Sequence, residues 1–361
     1  MKITFLVANL ACGGVERTVS YLSKYFAEHG CDTSIVCISD EQFYDIDKKV
    51  QLVKLNIPSQ CSGFFDRYEK IVLRFLRIHR ALKHLNPDCV ICLDAELLRF
   101  IRVQRSLGRF KLITSERTNP LMNSDKQRMA KFKSYRNSDG VIFQTKRAQK
   151  CFPRDIAEKG IVIPNAVGNE MVFRAPKTIV RRKVITAVGR LTEQKDYPTL
   201  LRAFALFLER HSDYTLEIYG DGALKSELRE LILKLHIETE VELKGAVKDA
   251  VLYVSSSSCY VMSSLYEGMP NALMEALAVG TPCVSTDCPF GPYELIKNGE
   301  NGLLVPVGDA VALCDAMCRM VEDVRFAERC SENAKKILSE QSIEEVSRKY
   351  LDYITGITEG N

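Results

Sequence analysis

Short apolar segments alternate with amphipathic segments along the whole of this 361-residue sequence. The pattern predicts strands near residues 2–8, 33–38, 88–93, 110–114, 140–144, 160–164, 183–188, 214–219, 241–245, 257–262 and 282–286. It predicts helices near residues 15–28, 66–85, 124–136, 146–152, 197–210, 222–236, 270–279, 309–321, 326–338 and 342–357. Strands and helices that alternate at this spacing are typical of parallel sheets with helices on both faces. The predicted fold class is therefore α/β.

The chain is too long for one hydrophobic core, which rarely grows beyond about 250–300 residues. A polar segment, residues 168–182, separates the two halves and is predicted to be a linker. We therefore expect two Rossmann-like domains, residues 1–167 and 183–340, and a C-terminal helix in residues 341–361 that crosses back to the first domain. Doubly wound domains bind ligands at the carboxyl ends of their strands, so we expect a binding cleft between the two domains.

Cysteine usage and the N-terminal segment indicate a cytosolic chain. The 13 cysteines are odd in number and many lie in apolar runs, as buried thiols do. Cys89 and Cys92 form a C-x-x-C motif in a predicted strand, where an odd separation directs the two side chains to opposite faces. No apolar run approaches the roughly 20 residues that span a bilayer. The first 18 residues are predicted to form a buried strand and a glycine turn rather than a signal peptide.

The net charge of +4 is unevenly distributed along the chain. Residues 1–170 carry 28 Lys and Arg against 18 Asp and Glu, whereas residues 171–361 carry 22 against 28. The basic excess is concentrated in residues 67–150, which hold 20 basic and 7 acidic side chains. A basic surface on one half predicts an anionic partner, which is an acidic lipid headgroup, a pyrophosphate or a nucleic acid. A solvated face without a ligand has the same composition.

The segment YEGMPNALMEALAVGTPCVST carries two glutamates eight residues apart, Glu267 and Glu275. Between them, Gly268, Met269 and Pro270 predict a tight turn followed by the start of a helix. The first backbone N–H groups of that helix would bind an anion, and they belong to Asn271, Ala272 and Leu273. Carboxylates accept hydrogen bonds from hydroxyl groups. The segment therefore predicts a site for a sugar nucleotide.

Five segments together resemble one enzyme family. They are NLACGGVER, IPNAV, AVGRLTEQKDYPTLLRAF, IYGDGALKSELRELI and residues 267–309. In this order they resemble the retaining family 4 glycosyltransferases of the GT-B fold, in which two Rossmann-like domains face each other. The likeness is greatest to bacterial enzymes that extend undecaprenyl-pyrophosphate-linked oligosaccharides of the N-glycan and O-antigen type. It implies a cofactor-independent enzyme that moves a hexose or N-acetylhexosamine from a UDP-sugar to a polyprenyl-pyrophosphate-linked glycan.

The resemblance also assigns roles to individual residues. Arg190 and Lys195 match the basic pair that neutralises the donor diphosphate, whose charge grows as it leaves the sugar. Glu275 matches the residue that holds the ribose, and Glu267 matches the residue that contacts hydroxyls of the donor sugar. Glu267, Arg190 and Lys195 are thus the predicted catalytic residues. The other predicted donor-site residues are Gly14, Lys244, Gly245, Val247, Gly268, Met269, Pro270, Asn271, Ala272, Leu273 and Glu275.

One loop departs from the family pattern. Many relatives place a histidine after the fourth strand of the first domain, where this chain reads LITSERTNP with Glu116 and Arg117. Glu16, Glu116 and Arg117 are expected to contact the acceptor. None of the five histidines lies in a motif, so no side-chain general base is predicted. The resemblance implies a front-face reaction in which the leaving phosphate itself takes the acceptor proton.

A basic amphipathic helix is predicted over residues 66–85, where Arg67, Lys70, Arg74 and Arg77 fall within about 80° of a helical wheel. Such a helix lies on anionic lipid, holds a lipid pyrophosphate, or simply packs by its apolar side. We expect a protein peripheral to the inner face of the cytoplasmic membrane, with no nucleic-acid partner. A D-x-D motif at Asp45 precedes two lysines and is not expected to bind a metal. No metal is expected in this protein, and the enzyme is expected to be metal-independent.

Two other function classes share this architecture. A sugar-nucleotide epimerase would convert a nucleotide sugar without an acceptor. A non-enzymatic nucleotide- or nucleic-acid-binding module would explain the basic half but would leave Glu267 and Glu275 without a role, and its binding would depend steeply on salt. A nicotinamide-dependent enzyme is disfavoured because no G-x-G-x-x-G with a downstream acid follows the first strand.

Overall fold

The structure is a computed structural model that describes residues 1–11, 13–57, 64–94, 96–107, 110–117, 119–122, 124–168 and 180–360. Within these ranges it leaves out the side chains of residues 64–68, 70, 102–104, 106–107 and 122. The chain divides into two compact units, Met1–Ala166 together with Ile343–Asn361, and Val167–Ser342. Each unit contains one fully parallel sheet with helices on both faces, which confirms the predicted fold class.

The first unit is built on a seven-stranded sheet. Its strands are β1 (Lys2–Val7), β2 (Asp32–Cys37), β3 (Gln51–Lys54), β4 (Cys89–Cys92), β5 (Lys111–Glu116), β6 (Gly140–Phe143) and β7 (Gly160–Val162), in the order β3-β2-β1-β4-β5-β6-β7. Its helices are α1 (Gly14–Glu28), α2 (Phe64–Leu85), α3 (Leu98–Leu107), α4 (Asp125–Arg136), α5 (Lys146–Lys150) and α6 (Arg154–Ala157), with a 3₁₀ turn at Pro120–Met122. The strand order reverses between β1 and β4, where open sheets of this kind bind ligands.

The second unit is built on a six-stranded sheet. Its strands are β8 (Arg182–Val188), β9 (Thr215–Tyr219), β10 (Val241–Gly245), β11 (Ser257–Met262), β12 (Cys283–Thr286) and β13 (Leu303–Val305), in the order β10-β9-β8-β11-β12-β13. Its helices are α7 (Tyr197–Leu208), α8 (Lys225–Lys234), α9 (Ala250–Ser255), α10 (Asn271–Ala278), α11 (Pro292–Leu295), α12 (Ala310–Glu322), α13 (Val324–Ala334) and α14 (Ile337–Glu340), with a 3₁₀ turn at Glu193–Lys195. Here the strand order reverses between β8 and β11.

The last helix, α15 (Ile343–Glu359), belongs to the first unit. Val346, Tyr350 and Ile354 repeat every four residues, are fully buried, and join the hydrophobic cluster beneath the first sheet. The Tyr353 hydroxyl accepts a hydrogen bond from the Val141 backbone N–H at 3.0 Å. The end of the chain is therefore integral to the first core.

Both faces of each sheet are buried, as the continuous apolar strands predict. In β4, Cys89 and Ile91 face one cluster of the first unit, whereas Val90 and Cys92 face the other. The prediction that Cys89 and Cys92 point to opposite faces is therefore confirmed. The cysteines that the structure describes are free thiols.

The sequence pattern misses short or polar elements. It does not predict β3 or β13, which are edge strands of four and three residues, or α3, whose apolar positions are interrupted by arginines. The helix predicted at 326–338 is two helices, α13 and α14. Arg182 opens β8 rather than closing the linker, and residues 169–179 of the predicted linker lie outside the described residues. No helix in the described part of the chain is long and apolar enough to cross a membrane.

Candidate functional site

Three loops meet at the carboxyl edge of the second sheet, because β8, β11 and β12 are neighbouring parallel strands. The Leu265 N–H donates to the carbonyl oxygen of Gln194 at 2.9 Å, which joins the loop after β11 to the loop after β8. The Ser263 hydroxyl donates to the carbonyl oxygen of Lys195 at 2.8 Å. The Thr286 hydroxyl donates to the carbonyl oxygen of Ser264 at 2.6 Å and adds the end of β12. The three loops therefore form one hydrogen-bonded structure.

Three side chains of these loops donate to the Glu267 carboxylate, and only 6% of the surface of Glu267 is exposed. Its Oε1 lies 2.6 Å from Nζ of Lys195 and accepts a hydrogen bond from the Ser264 hydroxyl at 2.7 Å. Its Oε2 accepts a hydrogen bond from Nε2 of Gln194 at 3.2 Å. Since a buried carboxylate is costly unless it is paired, these donors explain how Glu267 is held beneath the site.

Lys195 and Arg190 lie on the same loop but point to different surroundings. The Lys195 ammonium is largely buried against Glu267. The Arg190 side chain is exposed and forms no hydrogen bond or ion pair with the described residues. Asp196 follows in the left-handed conformation, with φ of 45°, and its carboxylate accepts from the Thr199 N–H at the start of α7. The loop thus presents one buried cation and one exposed cation at the sheet edge.

Two buried groups next to the loop stay uncharged. Burial raises the pKa of the Tyr197 hydroxyl, which donates to the carbonyl oxygen of Gly189 at 2.9 Å. Burial raises the pKa of the Cys288 thiol to about 12, with a further contribution from the nearby Glu267 carboxylate. Neither the Tyr197 hydroxyl nor the Cys288 thiol therefore contributes charge to this edge of the sheet.

The glycines of the IYGDGAL segment allow a second loop to approach the first. The Leu191 N–H donates to the carbonyl oxygen of Asp221 at 3.0 Å. A Cβ on Gly220, whose φ is 149°, would overlap the carbonyl oxygen of Gly189, and one on Gly222 would overlap the carbonyl oxygen of Leu191. Only glycine fits either position. The IYGDGAL segment is part of one of the five sequence motifs, but the pattern predicts no role for its two glycines.

Helix α10 begins beside Glu267. The sequence pattern predicts that the helix starts at Pro270, but Pro270 is the N-cap and the first helical residue is Asn271. No side chain caps the helix. Gly291, with φ of 81°, supports this turn, since a Cβ there would lie 2.5 Å from Cδ of Pro270 and 2.8 Å from the carbonyl oxygen of Gly268. The first turn therefore starts with backbone amides that a side chain does not cap.

The other residues predicted for this segment lie in and before the first two turns of α10. Met269 and Leu273 are buried, whereas Asn271, Ala272 and Glu275 are half-buried, and Glu275 lies in the second turn.

The residues predicted to frame a nucleotide base lie at the end of β10. The Lys244 ammonium pairs with Glu242 and lies 3.7 Å from Oε1 of Glu217, and the hydrogen bond to Glu242 raises the pKa of Lys244. Gly245 has φ of 76°, and its carbonyl oxygen accepts from the Gly220 N–H at 2.8 Å. Val247 is exposed. The base-binding role predicted for these residues stays a prediction.

In the first unit, Gly14 is the first residue of α1, and Gly13 is its N-cap. The Glu16 carboxylate folds back so closely that a Cβ on Gly13 would overlap it. The Tyr44 hydroxyl donates to the carbonyl oxygen of Gly13 at 3.3 Å. The glycine turn is therefore contacted on one side by Glu16 of α1 and on the other by Tyr44 of the segment after β2.

Glu116 and Arg117 lie at the end of β5, and neighbouring side chains hold both. Glu116 is buried, with Oε2 at 2.6 Å from Nζ of Lys131 and accepting from the Tyr135 hydroxyl at 3.2 Å. The Arg117 guanidinium donates to Thr18 of α1 at 2.9 Å and to the Tyr350 hydroxyl of α15 at 3.0 Å. These contacts join the end of β5 to α1, α4 and α15. The acceptor contact predicted for Glu116, Arg117 and Glu16 stays a prediction.

The predicted basic face of α2 is only partly described, because the side chains of Arg67 and Lys70 lie outside the described residues. Arg74 is half-buried. Arg77 donates to the backbone carbonyl oxygens of Leu55 and Asn56, so it anchors the segment after β3. The exposed side chains of the helix include three large apolar ones, Ile71, Val72 and Leu76.

Two family models match the chain. Residues 171–337 match the model described as "Glycosyl transferases group 1", and residues 12–170 match the model described as "Glycosyltransferase Family 4". Between them the two models span both structural units.

Two of the similar proteins are named bacterial glycosyltransferases. A Campylobacter jejuni protein named GalNAc-alpha-(1->4)-GalNAc-alpha-(1->3)-diNAcBac-PP-undecaprenol alpha-1,4-N-acetyl-D-galactosaminyltransferase is 26% identical, covering 99% of this chain and 99% of that protein. The amylovoran biosynthesis glycosyltransferase AmsD of Erwinia amylovora is 28% identical, covering 82% of this chain and 84% of that protein. Among solved structures, Anabaena HepE in complex with UDP has a TM-score of 0.80 at 17% identity, with 99% of this chain and 100% of that chain covered. The structural likeness shows a common fold.

Proposed function

Because the chain belongs to the group 1 glycosyltransferases of family 4, we propose that it is a retaining enzyme that transfers a sugar from a UDP-sugar to a lipid-linked oligosaccharide. The family predicted from the five sequence motifs is confirmed, as is the GT-B fold. The chain is a glycosyltransferase of bacterial polysaccharide biosynthesis. The proposed donor sugar is a hexose or an N-acetylhexosamine.

The observation that carries the proposal is the convergence of cations, uncapped helix amides and a buried carboxylate at one sheet edge. The exposed Arg190 and the start of α10 supply positive charge for a diphosphate. Lys195 supplies a second cation on the same loop as Arg190, at 2.6 Å from the Glu267 carboxylate. We assign Arg190 and Lys195 to the diphosphate, Glu275 to the ribose, and Glu267 to the hydroxyls of the donor sugar. The complex of HepE with UDP supports a UDP-linked donor.

The proposed chemistry needs no side-chain base. The bond between C1 of the sugar and the β-phosphate oxygen breaks, and its electron pair goes to the phosphate. The acceptor hydroxyl attacks C1 from the same face, and its proton goes to the departing phosphate oxygen. Arg190 and Lys195 stabilise the charge that grows on the diphosphate, so no divalent metal is required for this step.

The proposed acceptor is a polyprenyl-pyrophosphate-linked glycan at the inner face of the cytoplasmic membrane. The Campylobacter jejuni relative is named for a PP-undecaprenol-linked substrate. The excess of basic over acidic side chains in residues 67–150 suits an anionic surface or a pyrophosphate. The exposed Ile71, Val72 and Leu76 add apolar area on α2. A peripheral protein uses this combination to stay on a membrane without spanning it.

The deciding experiment offers a set of UDP-sugars to the purified enzyme with a panel of polyprenyl-pyrophosphate glycans. Mass spectrometry reports the added sugar, and nuclear magnetic resonance of the product reports the anomeric configuration. We expect one UDP-sugar to give a product with the anomeric configuration of the donor. An inverted product would contradict the retaining mechanism. Transfer only from another class of nucleotide sugar would contradict the UDP assignment, and an epimerised donor without transfer would identify an epimerase.

A further inference from the structure

A histidine, a cysteine and a glutamate converge on the second unit, away from the loops described above. His211 follows the end of α7, whereas Cys318 and Glu322 lie one helical turn apart on α12. Helix α7 starts next to Lys195 and has 12 residues. A helix of that length extends about 18 Å, so His211, which follows its far end, lies away from the loops that hold Lys195 and Glu267. The cluster is therefore separate from the site of sugar transfer.

The three side chains are close enough to share one ion. Nε2 of His211 lies 2.9 Å from Oε1 of Glu322. One ring nitrogen of His211, one carboxylate oxygen of Glu322 and Sγ of Cys318 all lie within 4.8 Å of one another. In the described part of the chain this is the one group of three or more His, Cys, Asp or Glu side chains with such spacing.

The surroundings hold each donor atom in place. The His211 ring packs against Phe207, with ring centroids 4.7 Å apart, and against the edge of Tyr214. The Arg210 guanidinium donates to both carboxylate oxygens of Glu322, at 2.8 and 3.1 Å. Cys318 is almost fully buried in the hydrophobic core, so its thiol reaches the cluster from the interior side. The cluster therefore lies at the boundary between core and solvent.

We infer that His211, Cys318 and Glu322 bind a Zn²⁺ ion. An imidazole nitrogen, a thiolate and a carboxylate form the mixed donor set that zinc favours, whereas Mg²⁺ and Ca²⁺ favour oxygen alone. Zinc bonds of about 2.0–2.3 Å in a tetrahedron place neighbouring ligand atoms about 3.3–3.8 Å apart. The separations in the cluster extend from 2.9 Å to at most 4.8 Å, so small side-chain rotations bring the three atoms to that geometry. A water molecule completes the tetrahedron.

Zinc at this position stabilises the second unit rather than assisting transfer. The ion joins the segment after α7 to the last turn of α12, which otherwise meet here only through side-chain hydrogen bonds and packing. On binding, the Cys318 thiol forms a sulfur–zinc bond and releases its proton to solvent. Arg210 keeps its hydrogen bond to the carboxylate oxygen that does not bind the ion.

The test uses the full-length protein and Zn²⁺ alone, with a chromophoric chelator as competitor. We expect one bound ion per chain, and a thermal midpoint that rises by at least about 5 °C at a hundredfold excess over the dissociation constant. His211→Gln changes a half-buried side chain and Glu322→Gln an exposed one, and each should lower the affinity for zinc at least about tenfold. Cys318→Ala should remove the thiolate-to-metal charge-transfer band of the Co²⁺-substituted protein. His236→Asn and Cys330→Ala, a surface histidine and a buried cysteine of the same unit, should bind zinc as the wild type does.

The outcomes separate the site from adventitious binding. Lost affinity in the three ligand variants, with unchanged affinity in the two controls, supports the site. If the wild-type protein binds no zinc, or if His211→Gln and Glu322→Gln bind it with unchanged affinity, the inference is wrong. Sugar transfer at a temperature well below the thermal midpoint should be the same in all five variants, because none of them changes the donor site.

Discussion

Nζ of Lys195 lies 2.6 Å from Oε1 of Glu267, and both side chains are largely buried. The two residues are 72 positions apart and come from loops that follow neighbouring strands. A donor diphosphate that binds Lys195 therefore comes next to the carboxylate that we assign to the donor sugar. If these assignments hold, the pair would couple recognition of the leaving group to recognition of the transferred group.

Arg190→Ala and Lys195→Ala should each lower kcat/KM by a factor of about 10²–10³, because preorganised partners of a developing charge are worth about 2.7–4 kcal/mol each. Lys195→Ala should also reduce the free energy of unfolding by about 1–3 kcal/mol, because it leaves the buried Glu267 without its cation. Arg190→Ala should leave stability unchanged, because Arg190 is exposed. Steady-state kinetics and thermal unfolding measure the two effects, with the exposed Arg202→Ala as the control. Losses of tenfold or less in both variants would show that the phosphates bind elsewhere.

Glu275→Ala and Glu267→Ala should damage activity in different ways. Loss of a ribose contact at the half-buried Glu275 should mainly weaken donor binding, whereas loss of a sugar contact at Glu267 should mainly slow transfer. Titration calorimetry with the donor and single-turnover kinetics separate the two. Near-normal donor affinity and turnover in both variants would show that these two residues do not belong to the donor site.

Gly220→Ala should impair both folding of the donor loops and donor binding. The added Cβ would overlap the carbonyl oxygen of Gly189, and the φ of 149° is unfavourable for alanine. Gly356→Ala is the matched control, because it lies inside α15 and a Cβ there meets nothing within 4 Å. The control should be neutral or more stable by up to about 1 kcal/mol. Chemical unfolding and donor titration compare the two variants. Equal free energies of unfolding and equal donor affinities would show that the two loops can move apart without loss of stability.

Transfer should survive EDTA, because the proposed cations of the donor site are Arg190, Lys195 and the amides at the start of α10. The measurement is the initial rate with and without chelator, well below the thermal midpoint so that any loss of stability does not reduce it. A large loss of rate that magnesium or manganese restores would require a metal at the diphosphate.

The protein should co-sediment with anionic but not with neutral vesicles, and high salt should release it. Each basic residue near an anionic surface contributes about 1 kcal/mol, and the attraction extends over roughly a Debye length. Val72→Glu together with Leu76→Glu should weaken sedimentation and activity on a lipid-linked acceptor, while activity on a short soluble acceptor changes little. Leu233→Glu is the control, since Leu233 is an exposed apolar residue of the second unit. Normal sedimentation and normal use of the lipid acceptor by the double variant would show that α2 packs against the first unit and does not bind the membrane.

Local patterns in the sequence determined the α/β class and the position of most long elements. Apolar runs mark strands that are buried on both faces, and a helix periodicity such as that of Val346, Tyr350 and Ile354 marks a face that must be covered. The same local information marked the turn before α10 and the basic loop after β8. Short edge strands such as β3 bury little surface, so their sequences carry no comparable signal.

Only the tertiary structure decided which of these segments meet. The pairing of Lys195 with Glu267 depends on the order of β8, β11 and β12 in the sheet, and the contact between Arg117 and Tyr350 joins residues 233 positions apart. Strand order is set by the packing of whole helices and sheets, whereas periodicity reports only which side of an element is apolar. Residue types and helix starts could therefore be derived from the sequence, but the partners that hold Glu267, Gly220 and Arg117 required the fold.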